Sequence, residues 1–237
     1  MPRRSSRPAD ASDHRAPPIE PPRVAAALVE VDGDAVPDGE AVEGVSWSGA
    51  GPGPDVTALD VRASELRGVR LTGRELPELL LLDTLVAGCE WSGATVSGAR
   101  WERVRFAGCR MSGLVADGMR ARHVRFEDCQ LDGAWLRAST FERCEFVDCD
   151  LTGADLHRAR FTGGSRLLSC RLDGAEFSGA EVEGTLALHG SALGGTSGLH
   201  TVRNLLIATD QVVDLALPLL AAQAITVDDE YDPSPPA

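Results

Sequence analysis

The stretch Cys149-Asp150-Leu151-Thr152-Gly153-Ala154-Asp155-Leu156-His157-Arg158 runs twice through one five-residue pattern: small, polar, large aliphatic, polar, and a residue suited to a corner. Stepping outward by fives from Leu151, the large position holds Phe146, Phe141, Leu136, Leu131 and Phe126 on one side, and Leu156 and Phe161 on the other. From Val61 to Phe161 the series has 21 members, of which only Ala116 and Ala121 are not large and apolar. One residue is inserted near Gly163-Gly164, after which Leu167, Leu172, Phe177 and Val182 continue the count. Two places before the large residue stands a small one (Cys89, Ala94, Cys109, Cys129, Ala134, Cys144), and two places after it glycine recurs 14 times. A period of five with two apolar and three polar positions fits neither a helix nor a plain strand. It fits a coil that turns a corner every five residues, with glycine supplying the positive φ a tight corner needs.

Two departures carry information. At Ala116 and Ala121 the preceding small position holds Leu114 and Met119, so large and small groups have traded places. Both positions face inward and the core volume is kept. The start of the series, 61–86, contains Pro77 and the run Leu79–Leu82, which predicts irregular coils there.

The units Ala154-Asp155-Leu156, Cys149-Asp150-Leu151, Cys129-Gln130-Leu131 and Ala175-Glu176-Phe177 resemble the pentapeptide-repeat family, whose pattern is A-[DN]-L-x-x. The resemblance covers about 60–185 and implies an all-β solenoid: a right-handed quadrilateral β-helix with four five-residue faces per coil, so that residues 20 apart stack. About six coils at ~4.8 Å per coil give a rod roughly 30 Å long. The expected organisation is a disordered leader over 1–23, an irregular lead-in over 24–58, the repeat β-helix over 59–187, a C-terminal loop and helical cap over 188–227 and a disordered tail over 228–237. Within 188–227, Thr209 or Asp210 is placed to cap a helix. Apolar groups recur at 213, 217, 220 and 224, and Pro218 should kink or split that helix. It resembles the C-terminal helical element of bacterial members of the family, which in some of them joins two rods, so a homodimer through 209–227 is allowed.

Composition narrows the function. The chain has 237 residues, a formal charge of −13, and basic residues that are all arginine. Without lysine there is no P-loop lysine and no Schiff-base lysine. The acidity disfavours direct nucleic-acid or anionic-lipid binding, and no apolar run is long enough to span a bilayer. A cytoplasmic protein is expected. All six cysteines occupy the small inward position, and Cys89, Cys109, Cys129 and Cys149 are 20 apart. A ladder spaced at ~4.8 Å suits neither disulfides nor tetrahedral metal binding, so small buried hydrophobes are expected, with no metal and no cofactor. His123 and His157 fall at outward positions, as do Asp132, Asp150 and Asp155, and a solvated surface is expected for all of them. Nothing in this pattern recommends an enzyme.

The outer faces are then the candidates for function. Coils of 20 place Arg100, Arg120 and Arg160 in one row and Arg103, His123 and Arg143 in a second. Arg105 and Arg125 lie just round the corner, with Arg122 between the rows and Glu102 and Glu142 interrupting them. Such a stripe suits an acidic partner or phosphates, and it is equally what a solvated face paired with neighbouring glutamates would look like. Two readings stay open: an interaction scaffold, or, since some members of the family confer quinolone resistance as acidic rods in the DNA site of gyrase, a DNA-mimic inhibitor or protector of that topoisomerase.

Overall fold

The computed structural model describes residues 17–225. Residues 1–16 of the expected leader and the expected tail, 228–237, lie outside them. Every described strand pairing is parallel, in one continuous sheet of 15 strands. Leu81 pairs with Trp101 and Trp101 with Ala121; Val86 pairs with Phe106 and Phe106 with Phe126. Glu90 bridges Arg110, and Thr95 bridges Val115. These four ladders, each advancing 20 residues, are the four sides of a solenoid. The first face carries the inward residues 81, 101, 121, 141 and 161; the second carries 86, 106, 126, 146 and 167; the third and fourth are single-residue bridges.

Packing follows from the period. Leu131, Leu136, Phe141, Phe146 and Leu151 are sealed inside, with the small residues Cys129, Ala134, Cys144 and Cys149 beside them. Stacked coils put like on like: the Phe126 ring lies 4.9 Å from Phe106 and 4.5 Å from Phe146, tilted by no more than 7°. Leu114, Ala116, Met119 and Ala121 are all buried, so the exchange of large for small stays inside the core. The six cysteines are free and buried, and burial pushes the Cys144 thiol up to about 12, which leaves it unreactive.

The ladder reaches further than the repeat pattern does. Ten strands stack along the second face, from Val29–Val31 to Leu205–Leu206, more coils than the six expected. Residues 61–86 are regular rather than irregular: Leu59–Arg62 pair with Leu79–Leu82 at a step of 20. Pro77 sits in the turn just before the strand Glu78–Ala87, where its missing N–H costs no ladder bond. The irregular steps come earlier, 19 from Ser46 to Glu65 and 16 from Val29 to Val45.

At the C-terminal end a 3-10 turn, Thr209–Gln211, leads into helix α1, Val212–Ala222. Neither Thr209 nor Asp210 caps it by side chain. Pro218 lies inside α1 and does not split it.

Candidate interaction face

Between the first and second faces the chain turns through Ala63, Asp83, Arg103, His123 and Arg143, stacked in a row, all with φ between 47° and 53°. Two other corners mix glycine with residues such as Asp128, Asp148, Ala138 and Arg158; this one holds L residues at five successive coils, in the left-handed region at about 1–2 kcal/mol each. Strain of that kind persists where the side chain has a task. Asp83 accepts from Arg103 Nε at 2.7 Å and Nη2 at 2.9 Å, a bidentate pair. That guanidinium holds the Asp83 carboxyl below the usual carboxylate range; burial opposes it, and the Arg23 N–H adds to it.

His123 is not solvated as expected. It is 2% exposed, its Nδ1 accepts from the Glu20 N–H at 3.1 Å, and its Nε2 has no hydrogen-bond partner among the described residues. Burial pulls its pKa down; Glu20 opposes that, and Arg143 and Arg122 reinforce it. What covers it is residues 17–25, placed in the leader or at the start of the lead-in by the sequence pattern. The signal available in the sequence was the run of non-glycine residues at one corner, 83 to 143.

The eight arginines of the stripe divide by partner. Arg103 is tied to Asp83 and to Glu102. Arg105 and Arg125 share Glu127, and Arg125 also reaches Glu145 at 2.6 Å. Glu145, 5% exposed, is held from its other side by Arg166 at 2.5 Å. Arg122 spans Glu102 at 3.8 Å and Glu142 at 3.4 Å, and Arg160 meets Glu181 at 3.3 Å. The Arg143 side chain lies across Gly163, where a Cβ would come within 2.7 Å of its Cγ. Arg100 and Arg120 remain: exposed, paired in register on the first face, and without a salt bridge among the described residues. They flank a shallow cleft of about 490 Å³ whose floor includes Leu80, Leu82 and Trp101.

The carboxylates expected at solvated positions are half-buried and largely engaged. Asp150 pairs with Arg171 at 3.2 Å, Asp155 with Arg137 at 2.7 Å, and Asp132 accepts from the Ser112 hydroxyl at 2.6 Å. Burial acts to raise the Asp150 pKa, but the Thr152 hydroxyl and N–H together bring it below the usual range. Among the described residues no group of three or more His, Cys, Asp or Glu side chains is placed to hold a metal, and no helix is long and apolar enough to cross a membrane.

At the C-terminal end the sequence pattern missed Gln211. Its carboxamide Nε2 donates to the carbonyls of Leu188 and Ser191, both at 2.7 Å, and its Oε1 accepts from the Ala208 N–H at 2.8 Å. A single buried amide thus ties α1 to carbonyls of the last coils. Leu215 is the buried side chain of α1, whereas Val213 and Leu217, on the face expected to pack, are 72% and 59% exposed.

A five-residue period, four parallel ladders and a core of stacked large and small residues define a pentapeptide-repeat β-solenoid. The family model described as pentapeptide repeats matches residues 125–163 in eight copies, and the 20-residue ladder continues before that segment, as in the pairing of Leu59–Arg62 with Leu79–Leu82. No curated protein matches it. Among solved structures, a trypsin-treated form of QnrB1, a plasmid-mediated fluoroquinolone resistance protein, is 19% identical over 87% of this chain and 99% of its own, at a TM-score of 0.37. HetL, from the cyanobacterium Nostoc sp. strain PCC 7120 and involved in heterocyst differentiation regulation, is 15% identical over 81% and 93%, at 0.27. Rfr23 of the cyanobacterium Cyanothece 51142 is 15% identical over 49% and 61%, at 0.14. Superpositions that loose say nothing of this chain's role.

Proposed function

We propose that the protein is a non-enzymatic, cytoplasmic interaction scaffold whose first face captures an acidic segment of a protein partner through Arg100 and Arg120. The observation that carries this reading is that these two arginines stand in register one coil apart, exposed and without a salt bridge among the described residues. Like charges carried by neighbouring coils repel, and a carboxylate or pair of carboxylates laid across them relieves the repulsion with charge-assisted hydrogen bonds. The apolar floor of Leu80, Leu82 and Trp101 gives the same segment something to bury.

The test is calorimetric titration of a Glu- and Asp-rich peptide into the full chain and into Arg100→Ser/Arg120→Ser. Binding should weaken at least about tenfold in the double variant. It should persist in Arg110→Ser/Arg171→Ser, which removes two arginines already paired on the third face. Equal affinities would sink the reading.

The surplus of carboxylates, a formal charge of −13, favours a second reading, DNA mimicry toward a type II topoisomerase. The arginines interleaved among those carboxylates weigh against it. Titration into a gyrase supercoiling assay, with and without a quinolone, separates the two: inhibition or drug protection brings the second reading forward, and no effect removes it.

A further inference from the structure

Residues Pro17 to Ala25 form neither helix nor strand, yet backbone hydrogen bonds fix them along the corner row. The Glu20 N–H donates to His123 at 3.1 Å, the Arg23 N–H to Asp83 Oδ1 at 3.0 Å and the Ala25 N–H to the Ala63 carbonyl at 2.9 Å. Three residues of strap, from 20 to 23, cross two coils of solenoid, from 123 to 83. The sequence Pro17-Pro18-Ile19-Glu20-Pro21-Pro22 favours the polyproline helix, which has three residues per turn and advances about 9.3 Å per turn. Two coils advance about 9.6 Å. The two repeats match between residues 20 and 23; the next contact, Ala25 on Ala63, comes two residues and one coil later. Ile19, Pro22, Val24 and Ala25 are half-buried, while Pro18, Glu20, Pro21 and Arg23 are exposed.

The strap roofs a cleft of about 670 Å³ against the second face, lined on the solenoid side by Val104, Arg105, His123, Arg125, Glu145 and Arg166. The space is neither filled by the strap nor closed. A segment held through its backbone by four hydrogen bonds, the fourth from Arg166 Nη2 to the Pro17 carbonyl at 3.5 Å, over an unfilled cleft is a removable occupant.

We infer that this corner is a docking groove for an extended, proline-rich segment of a protein partner, and that the chain's own residues 17–25 occupy it in cis until such a segment displaces them. The recognition elements are spaced by the fold. His123 and Asp83 take N–H groups three residues apart, the cleft receives the apolar residue that precedes the first of them, and Arg23 and Glu20 pair with each other at 3.1 Å outside the groove. A partner segment therefore needs an apolar residue followed by two free N–H groups at positions +1 and +4, with prolines between to hold it extended.

The experiment uses a fluorescent peptide of residues 17–25 and full-length proteins. Glu20→Pro/Arg23→Pro removes both docking N–H groups from the cis strap and leaves every solenoid residue unchanged. A tethered strap competes at an effective concentration of roughly millimolar. The peptide should therefore bind the double variant at least about tenfold more tightly than wild type, by anisotropy. The same peptide carrying Pro at positions 20 and 23 should lose that binding. Equal binding to both proteins, including none to either, overturns the inference. Light scattering adds one arm: a wild-type dimer abolished by Glu20→Pro/Arg23→Pro would make the occupant a second copy's strap and overturn the assignment to a partner.

Discussion

At the scale of single residues, alternation decides everything. Leu131 is 1% exposed and its neighbour Asp132 faces outward. Leu131→Asp removes roughly 2 kcal/mol of burial and puts a charge in a dry core, so it should abolish cooperative melting. Asp132→Ala loses one hydroxyl contact and should cost about 1 kcal/mol or less; thermal denaturation followed by circular dichroism distinguishes the two, and comparable losses would mean the inward and outward positions are misassigned. Asp83 tests the corner. Its folded pKa is depressed, so its contribution is present above the unfolded carboxylate value near 4 and is lost as pH falls through the folded value. Asp83→Asn should lower the melting temperature near neutral pH by about 3–6 °C, taking about 1.5 kcal/mol for a charged hydrogen-bonded group. The gap from wild type should narrow as pH falls below about 4 and close below the folded value. The inward residues were legible because a strict period repeats the same choice many times. His123 was not, because the period says which way a side chain leaves its own coil and nothing of what a distant segment lays over it.

At the scale of elements, α1 departs from its sequence pattern for a physical reason. The series 213, 217, 220 and 224 is a helical stripe, and stripes normally mark the buried side. Here Gln211 fixes the rotation of the helix through two carbonyls of the last coils, and Leu215 is carried to the solenoid instead. The stripe is left outward, with Val213 and Leu217 mostly exposed. Pro218 lies inside the 11-residue α1, where its missing N–H leaves the Asp214 carbonyl without its helical donor and the helix continues to Ala222. We propose that the outward stripe pairs two rods into a homodimer. Val213→Asp/Leu217→Asp should then convert a dimer to a monomer by light scattering without moving the far-ultraviolet spectrum, and a wild type that is already monomeric at tens of micromolar would remove the proposal. Gln211→Ala should act differently. Two carbonyls lose a buried donor at about 1–3 kcal/mol each, so amide exchange should rise in α1 and the last coils while the middle coils stay protected.

At the scale of the whole molecule the fold is one-dimensional, each coil resting only on its neighbours. The middle coils announced themselves because their step is 20 residues with one composition. The first coils, with steps of 16 and 19, and the last, with Leu186 pairing Leu205 at a step of 19, lost the count in sequence though they keep the ladder. Backbone pairing tolerates a shortened corner; a pattern search in fives does not. The step therefore matters more than the content of any one coil. Deleting residues 110–129 removes one coil and sets Gln130 where Arg110 stood, so that Phe146 stacks on Phe106 and every inward residue stays inward. Deleting 110–127 instead brings Leu131 to the glycine corner of Gly113 and turns polar groups into the core. The 20-residue deletion should melt cooperatively, with a somewhat lower midpoint and an unchanged β spectrum per residue. The 18-residue deletion should bind a hydrophobic dye and lose its transition. In the shortened rod Arg143 stands where His123 stood and offers the Glu20 N–H no acceptor, so exchange at that amide should rise even though the solenoid is intact. A 20-residue deletion that fails to fold would show that the coils are not interchangeable layers, and that the ladder depends on the sequence of this one coil.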